Sequence, residues 1–272
     1  MHIKIGFDIE LGVTAPTALI YMLQVHPSRA ADIVGAESIT ISPPLVTDHY
    51  RDLFDNHCAR VHVPFGVSSV RLRNEAVVYD TGWADPVDYG AQQLAAADLP
   101  VATLPFVLPS RYCEVDSELL QFAWNTFGNV TPGWHRVQAI CDWVHNHLRF
   151  DYQRARATRT ALEGYREGVG VCRDFTHLAI TLCRCMNIPA RYVTGYLGDI
   201  GIPPVPYPMD FSAWFEVWLG DRWYTFDARH NTPRIGRIVV ARGRDAADVP
   251  ITMVFGVNTL QRFEVTTDEV SP

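Results

Sequence analysis

The chain has 272 residues, of which 48% are apolar and 19% charged, and its formal net charge is −7 at pH 7. This length suits two domains of ordinary size, since single domains usually have about 100 to 200 residues. The acidic balance and the lack of a lysine- and arginine-rich run exclude the phosphate-neutralising surface that nucleic-acid binding needs. No apolar run reaches the ~20 residues needed to cross a bilayer. We therefore expect neither nucleic acid nor a membrane as a partner.

The start of the chain and the cysteines indicate a reducing compartment. In MHIKIGFDIEL polar and apolar residues alternate where a signal peptide would carry a continuous apolar stretch, so we expect a cytoplasmic protein. The six cysteines are scattered, and the close pair Cys183 and Cys185 has a spacing too short for a zinc motif. We predict no structural disulfide, no metal and no cofactor.

The first 85 residues have the pattern of short β-strands. From Ile3 to Leu11 the odd positions are apolar, and this period of two is typical of a strand with one buried face. Further strands are predicted at TALIYMLQV, ESITI, ARVHV and SVRLRNEAVVYD, separated by turn-forming residues. We predict an N-terminal antiparallel β-sandwich over residues 1–85, followed by a proline-rich connector over residues 86–114.

Beyond the connector, the apolar period changes to that of helices. The predicted helices are one capped by Asp116 or Ser117 and ended by Gly128, one over Trp134 to Leu148, a short one opened by the capping-box pattern Thr160 to Glu163, and one from Cys172 that ends before Pro189. Strands follow at ARYVTGYL, FSAWFEVWL and RWYTFDA. Helices followed by antiparallel strands predict an α+β core domain over residues 115–272.

Cys172 stands in the first turn of the last predicted helix. There the unsatisfied backbone N–H groups and the positive end of the helix dipole favour a thiolate, so we expect the pKa of Cys172 to lie below that of a free thiol. Gly168 and Gly170 allow a sharp turn into the helix and the close approach of a substrate. The N–H of Cys172 can also donate to an oxyanion. Cys172 is therefore the candidate nucleophile.

The sequence around Cys172 resembles the bacterial transglutaminase-like proteins, whose core is related to papain-type cysteine proteases. The resemblance rests on GVGVCRDFTHLAITLCRCMNIPARYVTGYL, with TALEGYREG before it and FSAWFEVWL and RWYTFD after it, and it spans residues 115–262. The spacing of Asp52 and Asn56 and the LPSRY at 108–112 look like the region that often precedes this core. The resemblance implies a papain-like, transglutaminase-like core in which helices pack on an antiparallel sheet.

The resemblance also implies a Cys-His-Asp triad, in which a thiolate attacks a carboxamide or peptide bond and the thioester passes to water or to an amine. On that mapping Cys172 is the nucleophile and Asp227 orients the base. In the family the base opens an H-A-W-x-E-V strand, whereas this chain has Ser212 at that position. Because a serine hydroxyl is a poor proton acceptor near neutral pH, the triad lacks its usual base.

His230 is the candidate replacement for that base, since it lies just beyond Asp227 on the strand expected to pair with residues 211–219. A two-residue hairpin loop puts Ser212 opposite Arg229, and a three-residue loop puts it opposite His230. The strand can also end after Asp227 and let His230 bend back. A purely structural hydrogen-bonding role is the alternative for His230.

Two functions from different classes follow. The first is a thiol-dependent amide or peptide hydrolase or acyl transferase that forms a Cys172 thioester on a peptide or protein carboxamide substrate, with water and an amine both open as acceptors. The second is a non-catalytic peptide-binding module, because Ser212 has replaced the base. The sequence pattern predicts no particular oligomeric state.

Overall fold

A computed structural model describes residues 1–205 and 209–271. The strands in this part of the chain are β1 (His2–Val13), β2 (Thr17–Tyr21), β3 (Ile33–Val34), β4 (Thr40–Ser42), β5 (Thr47–Arg51), β6 (His57–Val63), β7 (Ser69–Tyr79), β8 (Arg149–Phe150), β9 (Val169–Gly170), β10 (Ala190–Tyr196), β11 (Ser212–Leu219), β12 (Arg222–Phe226), β13 (Ile238–Gly243), β14 (Thr252–Val254) and β15 (Asn258–Val270). The α-helices are α1 (Glu118–Phe127), α2 (Trp134–His147), α3 (Ala161–Glu167) and α4 (Cys172–Cys185). Short 3₁₀ helices occur at Pro27–Asp32, Ala96–Asp98, Val101–Phe106 and Tyr152–Arg154.

The first part of the chain forms two antiparallel sheets, with strand orders β15-β1-β7-β3 and β14-β2-β6-β5, and β4 also pairs with β7. β1 follows the predicted alternation, since Ile3, Ile5 and Ile9 are fully buried. Their side chains belong to the same hydrophobic cluster as Leu19 of β2 and Val61 of β6. Each such burial contributes about 1.5–3 kcal/mol, so this alternation accounts for the packing of the two sheets into one core.

The C-terminal strands return to these first sheets. β15 pairs with β1 along its length, with Ile5 opposite Thr267, and β14 pairs with β2. The predicted core domain over residues 115–272 includes β14 and β15, whereas both strands pair with strands of the first part of the chain. The physical reason is that β15 is a mostly exposed edge strand, whose polar sequence gives no sign of its partner.

The helices begin where the sequence predicts. Ser117 accepts a hydrogen bond from the N–H of Leu119, and Thr160 and Glu163 form a reciprocal capping box before α3. α4 ends at Cys185, two residues before Asn187, which has a φ of 60°. The longest described helices, α2 and α4, have 14 residues, and no helix in residues 1–205 and 209–271 is long and apolar enough to span a membrane.

The core sheet has the strand order β12-β11-β10-β13, and α4 packs against β10 and β11. Ala213, Phe215 and Val217 of β11 share the main hydrophobic cluster with α4, whereas Trp214 packs with Val193 and Val239 in a separate small cluster. The alternation of β11 therefore separates two faces. Helices on one face of an antiparallel sheet confirm the predicted α+β class for this part of the chain.

Candidate active site

The start of α4 is held by the chain on either side of it. β9 pairs in parallel with β8, which puts Phe150 opposite Gly170, and the N–H of Asp151 donates to the carbonyl of Gly170 at 3.0 Å. Gly168 ends α3 in the left-handed conformation with a φ of 63°. A Cβ at Gly170 would lie 2.5 Å from the Cβ of Asp174, so only glycine fits there. These features fix Cys172 as the first residue of α4.

Asp174 fixes the first turn of the helix from inside. Its carboxylate accepts the N–H of Val171 at 2.9 Å and pairs with Nη1 of Arg159 at 2.9 Å, and both charged side chains are almost completely buried. Arg173 extends outward instead and donates to the carbonyls of residues 156, 157 and 159. The turn that carries Cys172 is therefore anchored by a buried ion pair. Removing one partner of such a pair leaves a buried charge without its partner.

Burial raises the pKa of the Cys172 thiol to about 11, so the expectation of a lowered pKa is wrong for the resting protein. The Arg229 guanidinium and the backbone N–H of Ala213 oppose this rise, whereas the carboxylates of Asp210 and Asp227 add to it. Desolvation penalises the charged form of a thiol. At neutral pH Cys172 is therefore a neutral thiol, and a nucleophilic role requires a base that takes its proton.

Arg229 is the neighbour of Cys172 that the sequence interpretation missed as a functional residue. Its guanidinium carbon lies 3.9 Å from the ring centroid of Phe150, which pairs with Gly170 two residues before Cys172. Among the described residues, no carboxylate lies within ion-pair distance of Arg229. The sequence contained one indication that Arg229 is close to the site: a two-residue hairpin loop places Arg229 opposite Ser212. Arg229 places an uncompensated positive charge close to the sulfur.

The β11–β12 hairpin settles the open register. Leu219 pairs with Arg222, so the loop has two residues, and β12 ends at Phe226 before its register reaches Arg229. Ser212 is buried, and within residues 1–205 and 209–271 its Oγ has no hydrogen-bond partner. The position that the resemblance assigns to the base thus holds a small hydroxyl with no hydrogen-bond partner among the described residues, next to Ala213, whose backbone N–H lowers the pKa of Cys172.

Asp227 and His230 form a hydrogen-bonded pair in the turn after β12. Nδ1 of His230 lies 2.8 Å from Oδ2 of Asp227, and the backbone N–H groups of Arg229 and His230 donate to Oδ1 at 3.0 and 3.1 Å. Nη2 of Arg237 donates to Oδ2 at 3.0 Å. Burial alone would raise the pKa of Asp227, but Arg237 and His230 hold it well below its usual range. A permanent carboxylate therefore orients the His230 ring.

The turn that carries His230 rests on α2. His145 donates from Nδ1 to the carbonyl of Arg229 at 2.9 Å, and the side chain of Asn231 binds Asp142 and Gln138 at 2.8 and 2.9 Å. These contacts explain why the chain leaves the sheet after Phe226 and bends. Of the three arrangements considered from the sequence, this bend matches the one in which the strand ends and His230 bends back.

The structure thus joins some of the predicted site residues and not others. Asp227 and His230 contact each other directly, and the backbone N–H of Ala213, the residue after Ser212, lowers the pKa of Cys172. Among the hydrogen bonds of the described residues, none joins His230 to Cys172. The side chain of His230 is 23% exposed, so the ring is partly accessible to solvent.

A cavity of about 490 Å³ is lined in part by Phe150, which pairs with Gly170 two residues before Cys172, and Cys172 itself is not one of its lining residues. Tyr152 and Asp210, two of its lining residues, are close enough to Cys172 for their charges to interact. Phe263 of β15 lines it as well, so the sheet of the first part of the chain contributes one wall. The remaining lining residues are Asp151, Gln153 and Met209. Separately, no group of three or more His, Cys, Asp or Glu residues in the described ranges is arranged to hold a metal ion.

Comparison with known proteins points to one family. Residues 121–228 match the Transglutaminase-like superfamily. An uncharacterized protein of Mycobacterium tuberculosis is 38% identical over 238 residues, which cover 79% of this chain and 74% of that protein. An uncharacterized protein of Mycobacterium leprae is 28% identical over 144 residues, and this chain spans only 51% of its length. The crystal structure of a proposed cysteine protease from Cytophaga hutchinsonii has a TM-score of 0.85 and 29% identity, covering 100% of this chain and 91% of that one.

Proposed function

Because this chain belongs to the bacterial transglutaminase-like proteins, we propose that it is a thiol enzyme that cleaves or transfers at an amide or peptide bond through a thioester on Cys172. The observation that carries the proposal is the Asp227–His230 pair, which supplies an oriented imidazole in the turn that follows β12. Amine transfer and hydrolysis share this intermediate and differ only in the acceptor.

In the proposed reaction, Nδ1–H of His230 donates to Asp227, which leaves Nε2 as the proton acceptor. Nε2 takes the thiol proton of Cys172, directly or through one water molecule, while the sulfur forms a bond to the carbonyl carbon. The N–H of Cys172 donates to the oxygen that becomes negative. The imidazolium then returns the proton to the leaving nitrogen as the C–N bond breaks. Water or an amine finally attacks the thioester carbon while His230 takes its proton; the C–S bond then breaks, and the imidazolium returns that proton to the Cys172 sulfur.

The burial of Cys172 fits a base-dependent mechanism. A thiol with a pKa of about 11 is mostly neutral in the resting enzyme, so proton transfer must accompany attack. The positive charge of Arg229, whose guanidinium packs on Phe150, lowers the pKa of Cys172 and so favours the thiolate as it forms. His230 and Arg229 thus have separate tasks: the first moves a proton, and the second stabilises negative charge.

The proposed substrate is a peptide or protein carboxamide. The cavity of about 490 Å³ has aromatic side chains on several sides, namely Phe150, Tyr152 and Phe263, and these suit the apolar part of a peptide side chain next to the reacting carbonyl. Because Phe263 comes from β15, the first sheet and the core both contribute to substrate binding in this proposal.

Release of ammonia or an amine from a panel of peptide amides tests the proposal. We expect turnover by the wild-type chain and none by Cys172→Ala, whereas Cys58→Ala, which changes a buried cysteine of β6, keeps turnover. Equal turnover by the wild type and Cys172→Ala would refute a Cys172 thioester.

A non-catalytic peptide-binding module is the second candidate, and one observation favours it. Ser212 fills the position of the family's base, with its hydroxyl buried and without a partner among the described residues. In that case peptides bind without turnover, and Cys172→Ala leaves their affinity unchanged. The same panel of peptides, followed by binding and by amine release, distinguishes the two candidates.

The cytoplasm is the proposed location, as the sequence indicates. All six cysteines are free thiols and five of them are buried. Free thiols are the usual state in a reducing compartment. Fractionation of cells that produce the full-length protein would check this proposal, since recovery from an oxidising compartment would contradict it.

A further inference from the structure

A second cavity, of about 410 Å³, lies where residues 80–86 of the chain pass over the core sheet. Trp214 and Glu216 of β11 line it, which places it on the sheet face that does not carry α4. Four arginines also line it, namely Arg29, Arg234, Arg237 and Arg242. We call this space the arginine cavity. It shares no lining residue with the cavity lined by Phe150.

Three of the four arginines have carboxylate partners. Arg29 pairs with Asp32 and Asp80, Arg242 pairs with Glu216, and Arg237 pairs with Asp85 and Asp227. Their charges are therefore balanced within the protein, and they do not by themselves indicate a ligand.

Arg234 differs from the other three. Its Nη2 donates to the carbonyl of Gly198 at 2.8 Å, but no carboxylate among the described residues forms an ion pair with its side chain. Arg234 is only 5% exposed, and burial lowers its pKa. Within the same described ranges, Nε of Arg234 and Nη1 of Arg237 have no hydrogen-bond partner. The carboxylates of Asp227 and Asp199 favour the charge of Arg234 from a distance, but a buried cation without a hydrogen-bonded counter-ion is costly.

We propose that the arginine cavity binds a small ligand with a carboxylate or phosphate group, and that Arg234 is its principal counter-ion. The planar guanidinium group binds both kinds of anion through paired N–H groups. The volume lies in the range of small-molecule sites, about 300–1,000 Å³. Trp83 borders the cavity with 82% of its surface exposed, and it supplies an aromatic face for the rest of the ligand.

This site does not depend on the thiol chemistry, because a ligand can occupy the arginine cavity whether or not Cys172 forms a thioester. One residue connects the arginine cavity with the candidate active site: Arg237 lines the cavity and also donates to Asp227. The test therefore measures binding alone and uses no enzyme assay.

Isothermal titration of the full chain with inorganic phosphate and, separately, with succinate tests the proposal and distinguishes phosphate from carboxylate ligands. We expect saturable binding of at least one of them, weakened about tenfold or more by Arg234→Gln, since a charged hydrogen-bonding partner is lost. Trp83→Ala, a change at the exposed rim, should lower the change in tryptophan fluorescence on binding. Arg166→Gln, which alters an exposed arginine on α3, is the control and should bind like the wild type.

Thermal melts without ligand show whether each variant is folded, and Arg234→Lys, which keeps the charge, replaces Arg234→Gln if the latter does not fold. Lysine at this position should bind more weakly than arginine because it cannot form the paired contact. Absence of saturable binding of both anions, or equal affinities of the wild type and the Arg234 variant, would overturn the proposal.

Discussion

The imidazole of His230 is bonded through Nδ1 to the carboxylate of Asp227, at 2.8 Å, within a single turn of the chain. In the family's arrangement the base lies on one strand and the carboxylate on the next, whereas here both belong to the turn after β12. The bond commits Nδ1 and leaves Nε2 free. A replacement base would need an imidazole oriented in this way.

His230→Ala should abolish amide turnover while Cys172 remains open to alkylation. Loss of a general base costs about 10²–10⁴-fold in rate, whereas iodoacetamide at high pH reacts with the thiolate that hydroxide forms without a protein base. Amine release and mass-spectrometric alkylation on the same samples measure both effects. Ser212→Ala is the matched control and should retain most turnover, because its hydroxyl has no partner among the described residues. Full turnover by His230→Ala would exclude His230 as the base.

Ser212→His should restore the base at its usual position in the family. Ser212 is the first residue of β11, next to Ala213, whose backbone N–H lowers the pKa of Cys172. We expect turnover in the Ser212→His, His230→Ala double variant to exceed that of His230→Ala alone, as measured by amine release. A double variant that folds and shows no gain would mean that the imidazole does not reach the sulfur from this strand.

The rate of Cys172 alkylation should rise with pH up to about pH 11, because burial raises the pKa of the thiol to about 11 and only the thiolate reacts. Arg229→Met should move this profile to higher pH, since the guanidinium lowers the pKa of Cys172. Arg229→Lys keeps the charge and should resemble the wild type. A plateau already present at neutral pH in the wild type would show instead that a thiolate is the resting form.

Acid should destabilise the fold partly through His26. Burial, with the nearby Arg242 guanidinium, lowers the pKa of His26 to about 4, whereas an unfolded histidine titrates near 6.5. The unfolded chain therefore binds the extra proton first, and the free energy of unfolding falls as the pH drops below about 6.5. Between pH 7 and pH 5 this loss amounts to about 2 kcal/mol. Urea melts should show a smaller loss over this range for His26→Asn than for the wild type; equal losses would contradict the assignment.

Local patterns were sufficient for the elements around the candidate site. The capping box of Thr160 and Glu163, the start of α4 at Cys172 and the strands on either side of Gly220 all follow from periodicity and capping, because these signals act over a few residues. The resemblance supplied the roles of Cys172 and Asp227, which remain proposals.

Contacts between distant parts of the chain were not predictable in the same way. The pairing of β15 with β1 joins residues some 260 positions apart, as in His2 with Val270, and the exposed sequence of β15 does not encode its partner. The raised pKa of Cys172 depends on how much water the assembled core excludes, and the helix-start argument considered only the local dipole. The support of Asp227 by Arg237 likewise appears only once the turn is folded.

The most direct measurement of the central claim is the mass of the protein, quenched in acid shortly after mixing with aryl esters of short peptides. The account predicts one acyl group per chain, located on Cys172 by peptide mapping and absent in Cys172→Ala, with slower acylation in His230→Ala. An unmodified wild-type chain, or acyl groups spread equally over several cysteines, would contradict it.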